Sequence, residues 1–249
     1  MVGDFWLKTS GTWINALTVL VGTGVGLRLR GSLSLSMQQV MTQGLGLITL
    51  VIGFGMANSF NQVKAGAIAG VILGLLAMVT GGLLGEWWAL EKQLEALGDW
   101  LKRRVRSGGS FTEGFVAASL LFCVGPMALI GSLNNGLSGD STLLLIKATM
   151  DAIASIALSN SFGIGVGFSC FPLIVYQGGL SLTAAVLAQQ LPDPATNPAV
   201  QLTSGVGGLM IIGIGLNLLE VTKVRVASFL PALLVAPMLY ALTQWIASR

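Results

Sequence analysis

The chain has 249 residues, of which 53% are hydrophobic and only 9% are charged, with a formal net charge of +3. A soluble domain of this size carries about 25% charged residues, so the composition excludes a water-soluble globular protein. We therefore predict an all-α membrane protein. With no histidine and only 2 cysteines, we expect buried thiols, no metal site and no cofactor.

Apolar runs of about 17 to 25 residues, long enough to cross a bilayer, predict about eight transmembrane or re-entrant helices. The fifth and sixth runs are separated only by "SNSFGIG", so residues 142–179 fit either two full spans or a re-entrant pair. We expect a single integral membrane domain over residues 1–249. The spans are predicted at about 12–28, 40–59, 66–86, 113–134, 142–160, 162–179, 202–220 and 226–246.

Basic residues indicate the orientation, because loops rich in Lys and Arg stay in the cytoplasm. Both termini are predicted outside, since this choice places most of the basic residues inside. These residues follow the membrane topology, so the bilayer is an expected partner and nucleic acid is not. The inside set is Arg28, Arg30, Lys92, Lys102, Arg103, Arg104, Arg106, Lys223 and Arg225, and the outside set is Lys8, Lys64 and Arg249.

Residues 86–106, "EWWALEKQLEALGDWLKRRVR", predict an amphipathic helix on the cytoplasmic side. Its apolar residues recur at alternating spacings of three and four, which places them on one helix face. We favour an anchor that lies on the membrane surface over a regulatory element. The apolar face consists of Trp87, Leu90, Leu94, Leu97 and Leu101.

Three segments of the first part of the chain match three segments of the second part in the same order. In the predicted orientation the two three-helix units, at about 12–86 and 162–246, are inverted, with central helices at about 113–160 between them. Inverted repeats are typical of transporters whose site lies near the midplane, although shared apolar composition is an alternative explanation. The matching pairs are 30–39 with 177–186, 44–58 with 205–217, and 61–74 with 222–235.

The fifth span carries a polar stripe, because Lys147, Asp151, Ser155 and Ser159 are spaced four residues apart. Asp151 lies about 13 Å into this span, near the middle of a hydrocarbon core of about 30 Å. In one interpretation Lys147 and Asp151 form a self-neutralising brace. In the other, Asp151 binds an ion or proton, and Lys147 is a counter-charge that is exchanged for the transported species. We favour the second, because ionisable residues inside membranes usually mark function.

Other polar residues and helix breaks are candidates for the remainder of this site. A proline inside a span frees a backbone carbonyl, which must then find a protein or water partner. The further candidate ligands are Asn58, Asn134, Asn135, Asn160, Gln177 and Asn217. The predicted helix-break or gating residues are Gly125, Pro126, Gly163, Gly165 and Pro172. Gly66, Gly70 and Gly74 form a small-residue face, which we interpret as an internal packing seam rather than a homodimer interface.

Several motifs resemble those of the YdfK/YqgA-like family, bacterial inner-membrane proteins of unknown function. They are "FCVGPMALIGSLNNGLSGD" (122–140), "LIKATMDAIAS" (145–155), "GIGV" (163–166), "YQGGLSL" (176–182), "GVGGLMIIGIGLNLLE" (205–220) and "LPAL" (230–233). The resemblance implies a multi-pass protein of the bacterial inner membrane and a role in transport. It implies no particular substrate or mechanism.

The sequence therefore favours a secondary transporter or an ion-conducting protein for a small ion or solute, with a midplane site around Asp151 and Lys147 at the interface of the repeats. The alternative is a non-transporting sensor or assembly protein that acts through its amphipathic helix. An enzyme is not expected, because the spans hold no histidine and no pair of aspartates. A monovalent cation, a proton-coupled solute and an anion attracted to Lys147 all remain open as substrates.

Overall fold

The computed structural model describes residues 2–30, 32–65, 68–190 and 196–247. Within these ranges 7 helices are long and apolar enough to cross a membrane, and a bent pair of shorter helices provides an eighth candidate span. The predicted all-α membrane architecture with about eight spans is confirmed. Its inverted repeat and its orientation in the bilayer stay predictions.

The first half of the described chain runs from α1 to α6, with two short strands before α3. The strands pair antiparallel, with Lys64 opposite Ala69. The elements are α1 (Val2–Arg30), α2 (Leu35–Ala57), a 3-10 turn (Asn58–Gln62), β1 (Lys64–Ala65), β2 (Ile68–Ala69), α3 (Gly70–Trp87), α4 (Leu90–Val105), α5 (Phe111–Cys123) and α6 (Pro126–Ser138).

The second half of the described chain runs from α7 to α12 and includes one π-helical segment. The elements are α7 (Thr142–Phe162), α8 (Gly165–Phe168), α9 (Cys170–Leu173), the π segment (Ile174–Gly178), α10 (Gly179–Gln190), α11 (Pro198–Leu218), a 3-10 turn (Val226–Phe229) and α12 (Ala232–Ala247). Residues 191–195, between α10 and α11, lie outside the described residues.

Contacts divide the chain into two compact units. The first contains Met1–Leu45, Glu95–Cys123 and Met127–Pro192, and the second contains Gly46–Leu94, Val124–Pro126 and Asp193–Arg249. The first unit therefore contains α1, α5, most of α6 and α7 to α10. The second contains α3, α11 and α12. The single membrane domain expected over the whole chain stays a prediction.

Helices α1 and α7 of the first unit run parallel and approach each other closely through glycines. A methyl group at Gly22 would lie 2.5 Å from the carbonyl oxygen of Ala152, and one at Gly26 would lie 2.3 Å from that of Ile156. Side chains at these positions would collide with the α7 backbone. The small residues of α1 therefore set the separation of the two helices.

The fourth predicted span is two half-helices rather than one straight helix. Helices α5 and α6 have 13 residues each, and they meet at an angle of 59°. Gly125 has a φ of 148°, which is a conformation that favours glycine. Pro126 follows as the first residue of α6, where its missing N–H costs nothing. The pair Gly125–Pro126 thus ends one helix and begins the next.

Residues 142–179 form two separate helical stretches. Helix α7 has 21 residues, and the helical stretch Gly165–Ala184 has 20, so each is long enough to cross a membrane. Gly163 forms the turn between them with a φ of 86°, and Gly165 lies so close to α5 that a methyl group there would be 2.1 Å from the Phe111 carbonyl oxygen. The later helix is interrupted at Ser169, directly after Phe168, whose carbonyl cannot receive a helical hydrogen bond from Pro172 because proline has no N–H.

The third span begins at Gly70 rather than at residue 66. A methyl group at Gly70 would lie 2.4 Å from the Phe60 carbonyl oxygen, and one at Gly74 would lie 2.4 Å from the Phe60 ring. Gly70 and Gly74 therefore pack inside the second unit. Gly66 lies outside the described residues.

The amphipathic segment 86–106 is divided by Ala89, whose φ is 53°. The described helix is α4, and it packs on its own chain: Gly98 is buried against Thr112 and Phe115, and Glu91 accepts a hydrogen bond of 2.8 Å from the Ala227 backbone N–H. Among the residues of the predicted apolar face, Leu90, Leu94 and Leu101 are half-buried, whereas Trp87 and Leu97 are exposed.

Candidate functional site

Buried polar side chains are concentrated in the first unit. Among the described residues, Thr49 and Ser228 are the only buried polar residues that belong to the second unit. Burial of polar groups is unfavourable unless they find partners. The unfavourable burial of polar side chains is therefore concentrated in the first unit.

A charged pair lies at the centre of this interior. Lys147 Nζ donates a hydrogen bond to Asp151 Oδ2 within α7, and the two side chains are only 8% and 9% exposed. Lys147 Nζ also lies 5.8 Å from the centroid of the Phe122 ring, at the carboxyl end of α5. Both an aromatic face and the partial negative charge of a helix end favour an ammonium group.

Asn15 of α1 connects this pair to a third segment of the chain. Its Nδ2 donates to Asp151 Oδ2 over 2.9 Å and to Gln177 Oε1 over 3.4 Å. Lys147 and Asn15 therefore donate to the same carboxylate oxygen. Asn15, Lys147, Asp151 and Gln177 form a cluster, which we call the buried polar cluster.

Sequence reasoning missed Asn15. A signal was present, because Gly11, Asn15, Gly22 and Gly26 follow one another at helical spacings on α1, and an amide among glycines indicates a helix face that meets protein rather than lipid. The first span contains no charged residue near Asn15 that would have drawn attention to this face.

Several atoms around the buried polar cluster have no hydrogen-bond partner in the described part of the chain. Asn15 Oδ1, Ser155 Oγ and Gln177 Nε2 belong to this group. Elsewhere on α1, the Oγ1 atoms of Thr12 and Thr23 also lack a partner among the described residues. A buried polar atom without a partner costs about 1 to 3 kcal/mol, and proteins usually satisfy such atoms with water or a ligand. The interior of the first unit therefore offers free ligating groups next to a carboxylate.

Gln177 reaches the cluster from the π segment. π-helical turns are rare and occur frequently at functional sites. Gln177 is fully buried, and the neighbouring Gly178 lies against α1, where a methyl group would be 3.8 Å from Thr12 Cγ2. The extra residue of the π segment thus lies where the segment meets α1.

The remaining candidates of the first unit bond elsewhere. Ser159 Oγ donates to the Ser155 carbonyl of its own helix over 2.5 Å, and the Thr23 carbonyl of α1 lies 3.3 Å from the same oxygen. Asn135 ties α6 to the start of α1, since its Oδ1 accepts from the Gly11 N–H over 3.1 Å. Asn160 Nδ2 donates to Met41 Sδ over 3.3 Å. Asn134 is half-buried, and its carbonyl accepts from Ser138 over 2.9 Å.

Asn58 and Asn217 belong to the second unit, where each makes local bonds. Asn58 is exposed and accepts from Asn61 over 2.7 Å. Asn217 binds Val224 in both directions, at 2.8 and 2.7 Å, and so closes the loop after α11. The structure therefore brings together Asp151, Lys147 and Gln177 of the predicted set, with Ser155 one helical turn away.

The fold and the site define a multi-pass membrane protein with a charged pair buried among amides and hydroxyls. The chain belongs to the family described as "Protein of unknown function (DUF554)", whose model matches residues 10–241. It is a bacterial membrane protein, as its relatives indicate. An uncharacterized membrane protein of Bacillus subtilis (strain 168), YdfK, is 28% identical over 91% of this chain and 93% of its own length.

A second relative is the uncharacterized protein YqgA of Escherichia coli (strain K12). It is 32% identical over 245 residues, which cover 95% of this chain and 99% of YqgA. No solved structure matches the chain. Membership of the YdfK/YqgA-like family, which the motifs indicated, is thus confirmed, and the family carries no established activity.

Proposed function

We propose that this protein is a secondary transporter or an ion-conducting protein for a small ion or solute, and not an enzyme. The observation that carries the proposal is the charged pair Lys147–Asp151, buried beside polar atoms that have no partner. A species that enters this interior would find a carboxylate, an ammonium group and several oxygens already in place.

An ion pair that only stabilised the fold would explain fewer features of this site than an exchange site does. Apolar residues of similar volume usually replace a buried ion pair with no loss of stability, and often with a gain. A brace also leaves unexplained why Asn15 Oδ1 and Ser155 Oγ are buried without partners next to the pair. Both features are expected of a site that exchanges one bound species for another.

The test is ion flux in proteoliposomes that contain the purified full-length protein. Imposed gradients of protons, alkali cations and chloride are compared with those in empty liposomes. We expect dissipation of at least one gradient, and Asp151→Asn is expected to abolish it. Asp140→Asn is the matched control, because it removes an acid in the exposed loop before α7. Equal flux in wild type and Asp151→Asn would refute the assignment of Asp151.

A second candidate function is a sensor or assembly protein that acts through α4. The supporting observation is that Trp100 and Leu97 are about half exposed on this helix, at 51% and 47%, although Gly98 between them is buried. Co-purification of a partner with wild type, lost in a Trp100→Ser and Leu97→Ser double variant, together with the absence of flux, would favour this function over transport.

A further inference from the structure

We propose that the second half of α4, residues 95–105, together with Arg106, binds the headgroups of anionic phospholipids. The proposal goes beyond the proposed function, because it names a partner in the surrounding bilayer rather than a transported species. The sequence predicts only that this helix lies on the membrane, whereas its contacts in the structure determine which side chains are free to bind lipid. We call the exposed surface formed by these side chains the α4 lipid face, and it consists of Leu97, Trp100, Arg103, Arg104 and Arg106.

The spans on either side of α4 keep it at the surface of the bilayer. Span α3 ends at Trp87, and α4 begins at Leu90. Residues 106–110 then connect α4 to α5, which begins at Phe111 and forms the first half of the bent candidate span. Within the described ranges, α4 itself is not among the candidate spans. Because both connections are short, lipid headgroups are present near α4 at a high effective concentration.

One side of the second half of α4 packs on α5, and the opposite side is exposed. Gly98 is buried, and a methyl group there would lie 2.9 Å from Thr112 Cγ2. Trp100 lies about 200° around the helix from Gly98, because successive residues are about 100° apart, and it is 51% exposed. Arg104 follows one turn later, with its guanidinium carbon 5.8 Å from the centroid of the Trp100 ring. The exposed side therefore combines an aromatic ring with a cation.

Hydrogen bonds within the protein occupy two other charged groups of this region. Lys102 Nζ donates to the Gly109 carbonyl over 2.9 Å, and Asp99 Oδ1 accepts from Thr112 Oγ1 over 2.5 Å. The three arginines of the α4 lipid face, in contrast, are exposed and form no ion pair in the part of the chain that the structure describes. Their positive charges remain free for a partner outside the chain.

The chemistry of the α4 lipid face favours phospholipid phosphate groups. A guanidinium presents its N–H donors in a planar fork that matches the oxygens of a phosphate. A tryptophan ring is typical of the membrane interface, where one end is apolar and the other is polar. Each basic residue near an anionic membrane surface strengthens binding about fivefold. Anionic headgroups such as phosphatidylglycerol are therefore expected to bind more tightly than zwitterionic ones.

The arrangement of charge on the α4 lipid face suits a bilayer better than a protein partner. Protein interfaces usually have an apolar centre that is depleted of charge and a polar rim. Here Arg103 and Arg104 flank Trp100 around the helix, so charged and apolar side chains alternate across the surface. Such alternation matches the boundary between headgroups and acyl chains, where both kinds of group meet.

The experiment measures thermal stabilisation of the purified full-length protein in detergent by added phospholipid. Phosphatidylglycerol and phosphatidylcholine with identical acyl chains are titrated separately, and inorganic phosphate is titrated as the free anion. Phosphatidylglycerol is expected to stabilise the wild type at concentrations about tenfold lower than phosphatidylcholine, because three arginines face the headgroup. Inorganic phosphate is expected to have no effect. Equal stabilisation by the two lipids, or stabilisation by inorganic phosphate alone, would overturn the proposal.

Substitutions assign the lipid preference to this surface. The test variant combines Arg103→Gln, Arg104→Gln and Arg106→Gln, and it is expected to lose the preference for phosphatidylglycerol. These positions are exposed, so the variant should fold as the wild type does. Equal losses in the test variant and in a control variant would show that net charge alone attracts the lipid and would refute the assignment. The control removes the same charge from other exposed positions through Arg28→Gln, Lys64→Gln and Lys223→Gln.

A second measurement places the lipid at α4. Leu97→Cys is labelled with a fluorophore in a variant that also carries Cys123→Ser and Cys170→Ser, and the protein is reconstituted in an equimolar mixture of the two lipids. Bromine atoms, which quench the fluorophore, are carried by one lipid at a time. Stronger quenching by brominated phosphatidylglycerol is expected. Equal quenching by both lipids, or quenching by neither, would contradict the proposal, as would a co-purified protein that occupies this face.

Discussion

Asn15 of α1 donates a hydrogen bond of 2.9 Å to Asp151 of α7, although 136 positions of the sequence separate the two residues. The bond ends on the same carboxylate oxygen that Lys147 binds. The carboxylate would therefore keep one neutral donor if the ammonium group left it, as the proposed exchange requires. This arrangement suits an acid whose charged partner is exchanged.

Substitution of Asn15 tests the importance of this donor. Asn15→Leu removes both the bond to Asp151 and a free oxygen, so we expect Asp151-dependent flux to fall at least tenfold. Thr18→Val is the control, because Thr18 also bonds from α1 to α7, at the Ala148 carbonyl over 3.1 Å, but does not contact Asp151. An equal loss of flux in both variants would mean that only helix packing was disturbed.

A double-mutant cycle separates stability from function at the charged pair. Removal of one partner leaves a buried charge, so Lys147→Met and Asp151→Leu are each expected to lower the free energy of unfolding by about 3 to 5 kcal/mol. The double variant should lose far less than their sum, yet show no flux. Unfolding in detergent provides the stabilities, and additive losses would show that the pair is not coupled.

The glycine contacts between α1 and α7 predict opposite effects of alanine at two neighbouring positions. Gly26→Ala places a methyl group 2.3 Å from the Ile156 carbonyl oxygen, so we expect a loss of about 1 to 3 kcal/mol. Gly24→Ala faces open space, with no atom within 4 Å, and should stabilise α1 by up to about 1 kcal/mol. Thermal unfolding of both variants checks the contrast, and equal effects would contradict it.

The break between α5 and α6 predicts a conformational cost at Gly125. Its φ of 148° is unfavourable for alanine, although the nearest atom to an added methyl group, Met56 Cε, would be 3.7 Å away. Gly125→Ala should therefore lose about 1 to 3 kcal/mol through backbone strain alone. Gly55→Ala, in a helix with open space around it, is the control and should lose nothing.

The hydrogen bonds of the Asp140 carboxylate predict that the stability of the protein depends slightly on pH in the acidic range. Hydrogen bonds from Thr142, including one of 2.9 Å from its backbone N–H, hold the pKa of the Asp140 carboxyl below its ordinary value of 3.8. A lowered pKa in the folded state stabilises the protein above the unfolded pKa, and this contribution is lost as the pH falls through the folded pKa. Asp140→Asn keeps the acceptor without the charge.

Unfolding of wild type and Asp140→Asn is therefore compared from about pH 6 down to about pH 2.5. We expect the advantage of wild type to be constant above about pH 5 and to shrink as the solution becomes more acidic. A difference between the two proteins that did not change over this range would show that the Asp140 charge makes no contribution.

The spans were predictable, because the thickness of the hydrocarbon core fixes the length of an apolar run. The Lys147–Asp151 pair was predictable too, because residues four apart share a helix face. Asn15 was not found, since its bond to Asp151 joins distant parts of the chain and no local spacing encodes it. The repeat aligned Asn58 with Asn217, but equivalence in a repeat does not imply proximity to Asp151.

The start of the third span and the π segment could not be predicted from the sequence. The run at 61–74 is rich in small and apolar residues, which predicts a helix from residue 66, whereas two short paired strands precede Gly70. The π segment has no distinct composition, and its last residue, Gly178, lies against Thr12 of α1. Gln177 was therefore identified as a candidate without its partner Asn15.

The glycine contacts of α1 have a mechanical consequence. Backbones this close leave little room for relative movement, so we expect Asn15 and Asp151 to stay together. The π segment, by contrast, contains one residue more than an α-helical turn. If the position of this extra residue shifts along the helix, each side chain that it passes rotates by about 100° about the helix axis. We therefore expect access to the carboxylate to change through helical register at Gln177, while α1 and α7 stay fixed.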